Sequence, residues 1–105
     1  MNTDRLTREQ VLARNPGREL DALVAKKIFG VNNPDARWSP STEISAAFEV
    51  AEEMQNNEWD FTLKNHKRLV HKRQYEAIFG TPYSAFAPTA PEAICKAALL
   101  AVMGE

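Results

Sequence analysis

The sequence predicts an α+β fold: a small antiparallel β-sheet of two to three strands sandwiched between helices, in the order α-α-α-β-β-β-α. Three observations predict it. Apolar residues recur at helical spacing through the first half of the chain, at Leu20, Leu23, Val24 and Ile28 and again from Ile44 to Met54. The period then drops to two, where Trp59, Phe61 and Leu63 alternate with Asp60, Thr62 and Lys64. Finally, Ala93 to Met103 is apolar nearly all round, with Lys96 its only charge. Helices, then strands, then one more helix is the pattern of helices packed on an antiparallel sheet.

Each element has local support. Thr7-Arg8-Glu9-Gln10 is a capping box that opens a helix to about Arg14, with Leu6 and Val11 as its hydrophobic staple. Asn15 caps a second helix over Arg18 to Phe29, since Pro16 tolerates the first helical position. Lys26 and Lys27 suit the negative end of its dipole, and Gly30 supplies a left-handed stop. Val31 to Ser41 reads as a loop carrying Trp38. A third helix, capped by Ser41, runs from about Thr42 to Gln55, with Ile44, Ala47, Phe48, Ala51 and Met54 on its buried stripe.

After Asn56-Asn57 the first strand starts near Trp59, and Asn65-His66-Lys67 turns the chain. Arg68 to Phe79 is a second strand whose imperfect alternation predicts a bulge or bend. Gly80-Thr81-Pro82 turns again, and Tyr83 to Ala87 forms a short third strand that its proline assigns to an edge. Thr89-Ala90-Pro91-Glu92 is a second capping box. The helix it opens must be deeply buried or covered by a partner, so a homodimer through the C-terminal helix is one expectation.

Composition bounds the function. The 105 residues are 44% hydrophobic and 26% charged with a formal net charge of −1. That suits one domain over 1–105 with a flexible 1–6, and excludes a disordered tail. The near-zero balance offers no global reason to seek nucleic acid or an anionic membrane. Cys95 is the single cysteine, so no intramolecular disulfide forms and a reducing compartment is expected. The N-terminus has no basic start followed by an apolar run, and Ala97 to Met103 is far short of the ~20 residues that span a bilayer. The protein is expected to work where it is made, without a membrane partner.

Read along the chain, the charge balance is a cancellation. Lys64, Lys67, Arg68, Lys72 and Arg73 lie between Phe61 and Tyr75 with no acid among them, +5 in a chain whose remainder carries −6. His66 and His71 fall inside the same segment. Such a basic hairpin meets an acidic protein partner, or phosphates with bases stacked on its aromatics; its plain alternative is a charge-protected sheet edge. Partner-binding candidates are Lys64, Lys67, Arg68, His71, Lys72, Arg73 and Trp38. Trp38 is either a lid packed on the sheet edge or an interaction anchor. His66 and His71, five residues apart, fall on opposite faces of a regular strand and make a poor acid–base pair; without nearby Cys or carboxylate they make no metal site. The apolar neighbours of Cys95 mark it as a core thiol. No phosphate loop, nucleophile elbow or zinc-binding motif occurs, so no catalytic residues, metal or cofactor are assigned.

Three stretches resemble a known family. Asn15-Pro16-Gly17-Arg18-Glu19-Leu20-Asp21-Ala22-Leu23-Val24-Ala25 followed by Gly30 is similar to the start of the phage ABA sandwich domain family. Ser39 to Glu53, with Ser41-Thr42-Glu43-Ile44 and Phe48, resembles its next element, and Thr89 to Leu100 its final helix. Trp59 also fits. The resemblance covers most of 7–103 and fades from Asn65 to Ser84. It implies a sheet held between helices in small proteins of phages and prophages, and it carries no activity or site residues. The expected function is therefore an accessory protein in the host cytoplasm. It would bind a host protein or complex without catalysis, as a counter-defence inhibitor. The alternatives are a nucleic-acid-binding protein using 64–73 and a protein that sequesters a small nucleotide.

Overall fold

The N-terminal capping box forms as its spacing predicts. The Thr7 hydroxyl accepts from the Gln10 amide at 3.2 Å, and the Gln10 side chain accepts from the Thr7 amide at 3.0 Å. Together they open α1 (Arg8–Ala13), which buries Val11. The structure is a computed structural model and describes residues 7–32, 34–35, 37–66, 74–80 and 82–104. Leu6 of the expected staple and the expected flexible 1–6 lie outside the described residues.

The next helix, α2 (Arg18–Val24), starts differently from expectation. Its N-cap is Gly17 rather than Asn15, at φ 147, a backbone conformation that glycine alone adopts readily. No side chain caps its first-turn amides; a remote residue instead holds the N-cap glycine, the Ser41 hydroxyl accepting from the Gly17 amide at 2.9 Å. The Ser41 amide in turn donates to Asp21 Oδ1 at 2.8 Å, with Ser41 and Asp21 both buried. Ser41, read from sequence as the local cap of the third helix, thus ties that helix's entry to the start of α2. Past Val24 the chain continues as a π-helical turn (Ala25–Phe29), with Lys26 and Lys27 in its last turn and Gly30 as the left-handed stop.

Helix α3 (Ile44–Asn56) begins two residues later than predicted, with Glu43 at the N-cap and no side-chain capping bond. It buries Ala46, Ala47, Val50, Ala51 and Met54. Ile44 and Phe48, expected on the buried stripe, remain 44% and 48% exposed. The helix is reversed by Glu58, a non-glycine residue in the left-handed region at φ 71. Its amide donates to the Gln55 carbonyl and the Trp59 amide to Met54, closing the helix end. A side chain in that region is strained, and an acid beside a helix C-terminus opposes the dipole. Glu58→Gly is therefore expected to raise folding stability by about 1 kcal/mol, read as a higher urea midpoint at unchanged slope.

Strands β1 (Phe61–His66), β2 (Gln74–Phe79) and β3 (Tyr83–Ala87) form an antiparallel sheet in the order β1-β2-β3. Pairing runs without interruption from Phe61↔Phe79 to His66↔Gln74 and from Phe79↔Tyr83 to Tyr75↔Ala87. Asn65 and His66 therefore extend β1 instead of turning the chain, and the paired part of β2 has no bulge. Arg68 to Arg73 of the predicted second strand, and Thr81 of the turn, lie outside the described residues. β3 is an edge, as its flanking proline predicts. Gly80, at φ 63, makes the tight turn after β2; a Cβ there would sit 3.3 Å from two ring carbons of Trp59. One sheet face carries Phe61, Leu63, Tyr75, Ala77, Phe79, Ala85 and Ala87, and the other Thr62, Lys64, Glu76, Ile78, Ser84 and Phe86.

Helix α4 (Ala90–Met103) explains the apolar final stretch. Thr89 accepts from the Glu92 amide at 3.4 Å, which is half of the predicted capping box. The Glu92 carboxylate does not reach back; it takes Lys96 instead. Every residue from Pro91 to Ala101 is buried. α4 packs on β2 and β3 along one side and on α1, α2 and α3 along the other. The cover that an all-round apolar helix demands thus comes from the same chain, so its composition needs no second copy to account for it.

Candidate functional site

Four apolar side chains that the core does not fully enclose converge where α3, the sheet and α4 meet. Ile44 and Phe48 project from the first turns of α3, Leu63 and Tyr75 come from the inner face of β1 and β2, and Pro88 and Pro91 flank the start of α4. They line an open groove of about 680 Å³. Contiguous apolar surface of this kind is an unusual thing to leave in water, whereas a single exposed Leu or Phe is not.

The groove has a simple relation to the basic segment. Leu63 and Tyr75 line it, and the +5 stretch Lys64 to Arg73 is the chain that joins them. Of the predicted contact residues, Lys64 is exposed on the outer face of β1, directly across from Glu76. Lys67, Arg68, His71, Lys72 and Arg73 lie outside the described residues, as does the side chain of His66.

Trp38 is held elsewhere. Its ring meets Phe29 edge-on, with centroids 5.4 Å apart and planes at 89°. Its Nε1 donates to Glu49 Oε1 at 2.9 Å. It therefore packs between the π-helical turn and α3 and not on the sheet edge, and it shares no cavity with Lys64. In the same loop Arg37 holds the Asp35 carboxyl below its ordinary range, first through its backbone N–H at 2.8 Å and then through its guanidinium.

Cys95 is fully buried. Burial pushes its thiol up from the ordinary value, and the nearby carboxylates of Asp21 and Glu92 push the same way. Such a thiol is packing material, not a nucleophile. The neutral form favoured by the native state contributes stability that is complete below the unfolded pKa of about 8.5. That contribution is lost as pH rises toward the native value, because the unfolded chain releases the proton first. Between pH 8 and 9.5 folding stability should fall, approaching about 1.4 kcal/mol per pH unit, and Cys95→Ala should remove that slope even while lowering the baseline. Urea titrations across that range decide it.

Sequence reasoning missed Ile44 and Phe48 as surface residues. A signal was present: α3 is apolar at 44, 46, 47, 48, 50, 51 and 54, a wider arc than one buried stripe needs. The excess width is what leaves Ile44 and Phe48 outside the enclosed core.

The architecture is a small α+β sandwich in which one apolar helix fills the space between a three-stranded antiparallel sheet and a helical layer. Among the described residues no helix is long and apolar enough to cross a membrane, and no group of three His, Cys, Asp or Glu side chains is placed to hold a metal. The chain belongs to the phage ABA sandwich domain family, whose model matches residues 22–99, from within α2 to within α4. It is thus a phage protein of that family. No curated protein and no solved structure matches it.

Proposed function

We propose that this phage protein acts without catalysis, by binding a host protein or complex in the host cytoplasm as a counter-defence inhibitor. The contact surface in this reading is the groove of Ile44, Phe48, Leu63, Tyr75 and Pro88 together with the basic segment 64–73. The observation that carries it is the apolar groove, two of whose walls, Leu63 and Tyr75, are the residues between which the basic segment runs in sequence, Lys64 itself lying on the opposite face of β1. Charge of one sign steers an oppositely charged partner, and an apolar cleft holds it once it arrives. The occupant that fits is an acidic protein segment bearing an apolar or aromatic anchor. Occluding a host surface requires no reacting group, only this kind of complementarity.

The test is affinity capture from infected host cells with three forms of the protein. One is the natural chain, one carries Lys67, Arg68, Lys72 and Arg73 all changed to Glu, and one carries Phe48→Asp. Circular dichroism establishes that each variant is folded. The same partner is expected to be lost from both variants, with the natural complex weakening as salt rises. Full retention by the charge-reversed form removes the basic segment from the proposal. Recovery of DNA or RNA whose binding survives Phe48→Asp replaces it with nucleic-acid binding.

A further inference from the structure

The loop before α3 walls a cavity that shares no lining residue with the groove, and its chemistry is different. Beside Trp38 lies a space of about 300 Å³ walled by Phe29, Val31, Pro34 and Trp38. Among the described residues its polar groups are Asp35 and Glu49, both carboxylates; an adjoining space that shares Pro34, Asp35 and Trp38 is lined by Arg18. The two rings pack edge-to-face on each other at 89°, and the space lies beside that contact, with Trp38 as its aromatic wall nearest Glu49.

From this geometry we infer that the Trp38–Phe29 pocket binds a small organic cation, an alkylated ammonium group, with Glu49 as its charge partner. Three features prepare it. Trp38 Nε1 is fixed on Glu49 Oε1 at 2.9 Å, so the ring is held in place before any ligand arrives. An anionic acceptor on the indole N–H also pushes electron density into the ring, which strengthens attraction at its face. Glu49, exposed at the rim, makes this one hydrogen bond and no ion pair among the described residues, whereas Asp35 is already engaged by Arg37. Phe29 is carried by the π-helical turn, a rare element that recurs at functional sites because its extra residue re-aims side chains.

A purely apolar ligand would use the same walls but would gain nothing from the carboxylates. Choline and its neutral isostere 3,3-dimethyl-1-butanol separate the two cases. The readout is the indole Nε1–H signals of a ¹⁵N-labelled sample, with the Trp38 signal assigned by its absence in Trp38→Phe. Choline is expected to shift the Trp38 signal saturably in the millimolar range while leaving that of Trp59 in place, and the neutral alcohol is expected to shift neither. Glu49→Gln keeps an acceptor for the indole but loses the charge, and is expected to weaken choline about ten-fold. Equal binding of the two probes overturns the inference, as does unchanged choline affinity in Glu49→Gln or the absence of any saturable shift. A choline response in a folded variant carrying the four Glu substitutions at 67, 68, 72 and 73 separates this pocket from the groove, since the inference expects it to persist there.

Discussion

Replacing Lys96 by alanine is expected to cost about 3–5 kcal/mol of folding stability, the largest loss expected from any charged residue among those described. Lys96 is 4% exposed and Glu92 is 8% exposed, and their charged atoms meet at 2.6 Å one helical turn apart. The ammonium also donates to the Leu12 carbonyl at 2.9 Å, joining α4 to the end of α1. Truncation leaves the Glu92 carboxylate inside the protein with no cation, and strands the Leu12 carbonyl as well. Both costs are desolvation that native pairing had offset. A domain of this size is stable by about 5–15 kcal/mol in total, so the variant should be largely unfolded in mild urea.

The double variant Glu92→Leu with Lys96→Met distinguishes the cost of breaking the pair from the value of having it. Two apolar side chains of similar volume suit a helix already apolar on every side. The double variant should recover most of the loss or exceed the natural protein. If it is as unstable as Lys96→Ala, the bond to Leu12 is the dominant contribution, and the pair serves mainly to seat α1. Urea unfolding of the three variants decides between these outcomes.

The same pair shows how far local pattern can be read. The order of elements, the antiparallel sheet, the left-handed stop at Gly30 and the cap at Thr89 all follow from short-range rules, and each appears where those rules put it. The departures are long-range. Glu92 occupies the capping-box position but turns to Lys96, because inside the protein a charge must be matched before a cap is completed. Asn15 is the better local cap for α2, yet Ser41, 24 residues away, takes the Gly17 amide. Periodicity placed Ile44 and Phe48 in the core because it registers hydrophobicity and not what the opposite wall leaves uncovered. Trp38 was legible as conspicuous, but its partners Phe29 and Glu49 come from two different elements, and no spacing rule links them. The candidate surfaces are therefore less legible than the fold, since each is assembled from residues far apart in sequence.

Phe79→Ala is expected to destabilise the fold by about 3–5 kcal/mol, whereas Phe86→Ala, one strand away, should cost at most about 1 kcal/mol. The two phenylalanines differ in one respect that the alternation of the sheet decides. Phe79 points toward α4, is completely buried and stacks on Phe61 with ring centroids 5.0 Å apart. Phe61 is also its directly opposed neighbour on β1, so truncation opens a void and removes the partner of a second ring. Phe86 points to the outer face and is 49% exposed. Alanine there gives up only part of its apolar burial and leaves no cavity. Because β2 is the central strand, the loss at Phe79 should also loosen the sheet end that carries Leu63 and Tyr75. On the proposed function, capture of a partner through the groove should then be lost together with stability, whereas Phe86→Ala retains both. Equal losses at the two positions would mean that the outer face is as enclosed as the inner one, and that the sheet is covered on both sides in solution.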